Sequence, residues 1–362
     1  MPHHPALHTF LLLALLFAAC ADGSSDSDTT QTATRSRTAE ATPSPARRGE
    51  TATPIAPPGG GLTPEPTVAG PATSGCIDPY PQGAPYTPEP GEPITIRSTG
   101  YPAPPSRYQP MPFASDPVLV GIVRDTLGAD AGRFGIVIKN LADGRGVALA
   151  PDRVYYAASL FKTWVMLEAF HQREARVLGF DERYTVTDYY AEYGLTAGQL
   201  QACQDASVRE MLLSMMRISD NVAANMLLDR VNAENVRRAL RGMGLQVSTF
   251  AGGGSLPLNA SDTALLLEAI ARRQALSPAA SDEMLALLAS ETYNDRLPAL
   301  LPAGTRVAHK TGDWENATHD AGIVFSPRAT YVIVVLSDFG FSDDGATPIA
   351  RVSRAVYDYY NR

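Results

Sequence analysis

The sequence predicts an α/β fold of the segregated α+β kind. One antiparallel sheet of about five strands is built from both ends of a domain at 116–362 and flanked by terminal helices, with an all-helical subdomain inserted between the two halves of the sheet. Three observations predict it. Runs rich in Val and Ile occur near the start and the end of that domain, helical spacing fills the stretch between them, and short turns join neighbouring strands into hairpins.

In chain order, a helix is expected at 116–128. "FGIVIKNL" (134–141) and "VALAPDRVYY" (147–156) read as two strands, and Asp143-Gly144 between them is the strongest local hairpin signal. Helical patterns follow around 159–172, 207–217, 221–230, 233–241, 261–274 and 278–289, several opening on Ser, Asp or Asn, whose side chains satisfy the free N–H groups of a first turn. Strand patterns return in "TRVAHKT" (305–311), "HDAGIVFS" (319–326) and "YVIVVLSD" (331–338), and a closing helix is expected at 345–360. A groove between the sheet half and the helical half is the natural place for a site.

Most of the 29 prolines fall between Pro43 and Pro112. Residues 21–115, rich in Pro, Thr and Ser, cannot bury enough apolar surface to offset the entropy of ordering, so they read as a disordered tether. From about Tyr80 tyrosines appear among the prolines, which suggests an extended stretch lying against the domain. The net charge of −8 and the lack of basic clusters argue against nucleic acid. With no C-x-x-C or H-x-H spacing, neither a metal site nor a cofactor is implied. "AGGGS" (251–255) lacks the Gly-Lys-Ser/Thr of a phosphate loop and reads as a flexible turn.

"AASLFKTWVML" (157–167) places Ser159 and Lys162 three positions apart on one helical face. Leu160, Phe161, Trp164, Val165, Met166 and Leu167 surround that pair in nearly every direction, so the helix is enclosed by protein. Enclosure disfavours an ammonium, and a neutral amine beside a hydroxyl can take its proton and leave a nucleophile. Two further motifs follow in order. Ser219-Asp220-Asn221 opens a second helix, and Lys310-Thr311-Gly312 closes a strand.

With these three motifs, and with Ser219 following Ser159 by 60 residues, the stretch 116–362 resembles the penicillin-recognising serine enzymes, most closely the class A β-lactamase-like proteins. The resemblance implies a β-lactamase/transpeptidase-like fold and a monomer acting on a β-lactam or a related cell-wall peptide. It implies that Ser159 is acylated with Lys162 as its base, that Ser219 relays a proton, and that Lys310 adds positive potential. Asn221 would bind the substrate's side-chain amide, Thr311 its carboxylate, and Gly312 would leave room for substrate to lie along the strand edge. The backbone N–H groups of Ser159 and Asp313 would form the oxyanion hole. Tyr189, Tyr190 and Tyr193 fall where the family has a cleft wall, or else they are surface aromatics.

One part of the family pattern is missing. The E-x-x-L-N glutamate that activates the deacylating water is matched by "SLPLN" (255–259), with Ser255 in its place, unless Asn259 simply caps the next helix. A serine is no base near neutral pH, so hydrolysis of the acyl-enzyme is expected to be slow. Glu315 and His319 are candidate substitutes, although "GDWENATHD" reads first as a polar loop. A penicillin- or muropeptide-binding protein, or a D,D-peptidase-like protein with little turnover, is the alternative.

The first twenty residues resemble a bacterial lipoprotein signal, with an apolar run from Phe10 to Ala19 before Cys20 as the lipidated residue. The run is too short to span a bilayer, which takes about 20 apolar residues. The run departs from the lipoprotein pattern in having no Lys or Arg before it and Phe17 where Leu is usual, and a plain secretory signal is the alternative. The protein is therefore expected to be exported, and with Cys20 lipidated it would be anchored on the extracytoplasmic face of the cell envelope. Cys76 and Cys203 then remain as a pair that an oxidising compartment permits to form a disulfide, or as two free thiols.

Overall fold

The alternation of the last strands decides the layering. In the computed structural model, β10 (Thr330–Ser337) sends Val332, Val334 and Leu336 into one apolar cluster and Tyr331, Ile333 and Val335 into another. Successive strand side chains point to opposite faces, so the sheet is buried on both sides. Residues 103, 105–251, 254–341 and 343–362 are described by the structure. The signal expected at 1–20, most of the tether, and Cys20 and Cys76 lie outside the described residues.

The main sheet has six strands in the order β1-β3-β2-β10-β9-β8. These are β1 (Ala114–Ser115), β2 (Phe134–Asn140), β3 (Arg145–Leu149), β8 (Arg306–Trp314), β9 (Ala317–Phe325) and β10. Five are antiparallel and draw on both ends of the domain as expected, while the two-residue β1 adds a parallel edge against Arg145 and Gly146. One face packs on the terminal helices α1 (Pro117–Leu127) and α9 (Ala346–Tyr360). The other meets the helical half, formed by α2 (Phe161–Glu174), the short α3 (Asp188–Ala191), α4 (Val208–Arg217), α5 (Asn221–Val231), α6 (Ala233–Met243), α7 (Ala260–Ala271) and α8 (Pro278–Leu288).

Helix starts follow from local chemistry. Asp116 caps α1 ahead of Pro117, Ser207 and Glu210 make a reciprocal capping box on α4, and Ser277 caps α8 ahead of Pro278.

Four expectations are corrected. The strand expected at 147–156 ends at Leu149: the chain turns through Ala150 (φ 41°) and Pro151, and β4 (Tyr155–Tyr156) leaves the sheet to pair with β7 (Pro257–Leu258). The polar loop expected at 312–320 is instead a tight hairpin, with β8 running on through Trp314 and β9 starting at Ala317. The helix expected from 159 begins at Phe161, after a 3₁₀ turn at Ala158–Leu160. Lastly, residues 105–115, assigned to the tether, pack on the domain: Tyr108 is 4% exposed, and both Tyr108 Oη (3.1 Å) and Met111 N–H (2.8 Å) donate to Glu268 Oε1, whose other oxygen pairs with Lys139 (2.6 Å).

Candidate active site

The 3₁₀ turn and the head of α2 bring Ser159 and Lys162 together, and the chain turn before α5 closes over them. Lys162 is fully buried, in a helix whose residues Lys162 to Gln172 are all buried. Its Nζ lies 3.0 Å from Ser159 Oγ, 2.9 Å from Ser219 Oγ, 2.6 Å from the Ser219 carbonyl and 2.7 Å from Asn221 Oδ1. Burial, and next the positive charge of Lys310, push this amine well below the ordinary lysine range, while Asp220 and Glu291 oppose the shift. A neutral amine has two hydrogens and one lone pair. Donation to the carbonyl and to Asn221 uses the hydrogens and leaves the lone pair for a hydroxyl proton.

The backbone is held in uncommon conformations at this point. Ala158 (φ 46°) and Ser219 (φ 56°) are both left-handed without being glycine, a strain that surrounding structure must maintain. Asp220 does this for Ser219. Fully buried, its carboxylate caps α5 at Ala223 N–H (3.1 Å) and also accepts from Ser214 Oγ (2.7 Å) and Leu200 N–H (2.9 Å). The central residue of the motif is thus its structural post.

A cavity of about 720 Å³ opens over this cluster, with Ser159, Ser219, Asn221, Thr311, Asp313 and Ser255 among its lining. Edge strand β8 forms one wall. A Cβ on Gly312 would stand 3.2 Å from the Ala157 carbonyl and 3.3 Å from both Ala158 Cβ and Ser159 N. The glycine therefore makes room for the serine-bearing turn, where the sequence reading had it make room for substrate.

Lys310 is fully buried beneath the cleft and paired with the equally inaccessible Glu291 (2.6 Å), and from there its charge acts on Lys162. Other expected site residues lie away from the cavity. His319 is also fully buried: its Nε2 donates to the Tyr156 carbonyl (2.8 Å) and its Nδ1 accepts from Ser337 N–H (3.2 Å), so neither nitrogen is free for a water. Burial lowers its pKa to about 4. Glu315 is exposed at the β8–β9 turn and does not line the cavity. Asn259 is the N-cap of α7, bonded to Asp262 N–H (2.8 Å), so only Ser255 of the "SLPLN" stretch faces the site with Leu256. Tyr190 and Tyr193 are buried, and Leu195, Thr196 and Gln199 take the place expected for them on the cleft wall. Cys203 is disulfide-bonded, and Cys76, its expected partner, lies outside the described residues.

The sequence reading missed the segment between α8 and β8. Arg296, 6% exposed, grips both carboxylate oxygens of Asp313 (2.6 and 2.8 Å) and the His319 carbonyl (2.9 Å). Asn294 contacts His309 (3.3 Å), which Asp320 holds from its other side (2.9 Å). Charged residues in an aperiodic loop gave no signal. Among the described residues no group of three or more His, Cys, Asp or Glu could hold a metal ion.

Comparison with known proteins agrees with this geometry. Beta-lactamase L2 of Stenotrophomonas maltophilia is 28% identical over 244 residues, covering 62% of this chain and 80% of that protein. A β-lactamase of Bacteroides uniformis is 38% identical over 82 residues, a match covering 20% of this chain but only 28% of that protein's length. Among solved structures, PBP-A is similar at a TM-score of 0.64 and 26% identity, over 70% of this chain and 99% of that one. A variant of PBP-A is known as its acyl-enzyme complex with penicillin G. The model of the beta-lactamase enzyme family matches residues 119–360, and the chain belongs to that family.

Proposed function

We propose that the protein is a serine acyl-transfer enzyme of the class A β-lactamase type that opens β-lactam rings through an acyl-enzyme on Ser159 and releases the product slowly. The observation that carries this is the buried Lys162 amine within 3.0 Å of two serine hydroxyls. As Ser159 Oγ bonds to the lactam carbonyl carbon, its proton passes to Lys162 Nζ. Ser219 then hands its proton to the ring nitrogen as the carbon–nitrogen bond breaks and takes the extra proton of Lys162 in its place, which leaves an ester, an intact Ser219 hydroxyl and a restored amine. Asn221 and Thr311, both lining the cavity, fit the substrate's side-chain amide and carboxylate. Backbone N–H groups of Ser159 and Asp313 receive the developing oxyanion.

Slow release is supported by the charge of the lining. Asp313 is the one carboxylate among the described residues of the lining, and Arg296 holds both of that group's oxygens. Water activated by a general base normally gains about 10²- to 10⁴-fold, and that help is missing here. The same observation, with the likeness to PBP-A, favours the second reading of a penicillin-binding or D,D-peptidase-like protein acting on cell-wall peptides. Intact mass followed over time with penicillin G separates the two. A Ser159-borne adduct that decays with release of opened product makes it a slow lactamase, and one that persists makes it a binding protein. Ser159→Ala is expected to form no adduct, and adduct formation at the wild-type rate in that variant would remove Ser159 as nucleophile.

Export, with lipid on Cys20 holding a monomeric domain at the extracytoplasmic face of the envelope, belongs to the same proposal. Labelling with a radioactive fatty acid is expected to mark the full chain and to be lost in Cys20→Ala.

A further inference from the structure

The segment that joins α8 to β8 reaches each of residues 309 to 313 on the active-site strand. Asn294 meets His309, Glu291 meets Lys310 and Thr311, and Arg296 meets Gly312 and Asp313. Most of these contacts are neutral or lie partly in solvent. The exception is Glu291, whose side chain and that of Lys310 are both fully inaccessible. One carboxylate oxygen takes the Lys310 ammonium at 2.6 Å, and the other faces Thr311 Oγ1 at 3.4 Å.

We propose that Glu291 is a positioning residue for acyl transfer: its buried carboxylate bridges Lys310 and Thr311, fixing the cation under the cleft and the hydroxyl that borders it. This rests on the reading of Ser159 as the acylated residue. A carboxylate is not needed to keep a strand in place, and replacing an ion pair buried away from solvent by an apolar pair is often neutral or stabilising. Its effect on the site is electrostatic. Lys310 bears down on the protonation of Lys162 and Glu291 counters it, so the pair together set how readily the base is freed. The other charged group acting on Lys162 is Asp220, which α5 and Ser214 hold in place independently.

The test reads acylation of the full chain by a fluorescent penicillin as a function of pH. Glu291→Gln removes the charge and keeps the shape. Without the anion, Lys162 loses a proton more easily, so the acid limb of the profile is expected to move to lower pH by about one unit. Acylation at neutral pH is expected to fall about tenfold as Lys310 and Thr311 lose their anchor. Glu291→Asp keeps the charge one methylene short. It avoids an unpaired buried lysine and serves if the Gln variant does not fold. It is expected to keep the wild-type midpoint and still lose rate. A Gln variant that folds with wild-type midpoint and rate, or an Asp variant with the wild-type rate, overturns the proposal while leaving Ser159 acylation standing. Absence of any adduct in the wild type overturns both.

Discussion

Lys162 and His319 are both fully buried bases, and their hydrogen bonds give them opposite duties. Lys162 faces two hydroxyls whose protons it can take. His319 has both nitrogens committed, so a second proton would have to displace the Ser337 N–H that points at Nδ1. With a folded pKa of about 4 against about 6.5 for a free imidazole, the unfolded chain binds a proton first as pH falls. His319 therefore lowers stability progressively between about pH 6.5 and 4, by up to ~3 kcal/mol. Thermal melts are expected to show this acid loss in the wild type and a weaker one in His319→Gln. Ser159, Lys162, Ser219 and Asn221 were legible because each motif is a short spacing at a helix end, and these ends meet around the Lys162 amine. The sequence could not place Glu291 or Arg296, whose partners lie about 20 residues away across a loop without periodicity.

At the scale of elements, the site depends on how closely the serine-bearing turn approaches β8. Gly312→Ala adds a methyl group into contacts of 3.2 to 3.3 Å with the backbone around Ser159. Forcing that turn away from the strand is expected to cost about 1–3 kcal/mol and to slow acylation more than tenfold, read by melting and adduct formation together. Asn259→Ala removes a helix cap and is expected to cost about 1 kcal/mol without changing adduct lifetime. Ser255→Glu places a carboxylate in the cavity wall and is expected to shorten that lifetime about tenfold or more. Long alternating strands and capped helices were legible because each announces itself locally. The split at Ala150 and the two-residue strands were not, since their pairing is decided by tertiary partners such as β7 and β3.

For the whole molecule, the sheet brings both ends of the domain together and the helical half closes on one face of it, so the cleft is lined from both: Ser159, Ser219 and Asn221 on one side, Thr311 and Asp313 on the other. In the proposed mechanism, that arrangement makes acylation depend on a single protonation state. A lysine in water loses its proton near pH 10.4, whereas one enclosed as Lys162 is does so far lower. The rate of Ser159 acylation by penicillin G, measured by intact mass from acid to alkaline pH, tests this most directly. Full acylation at neutral pH that falls away only on acidification is the predicted result. A rate that stays negligible until the pH approaches that of a free lysine would contradict it.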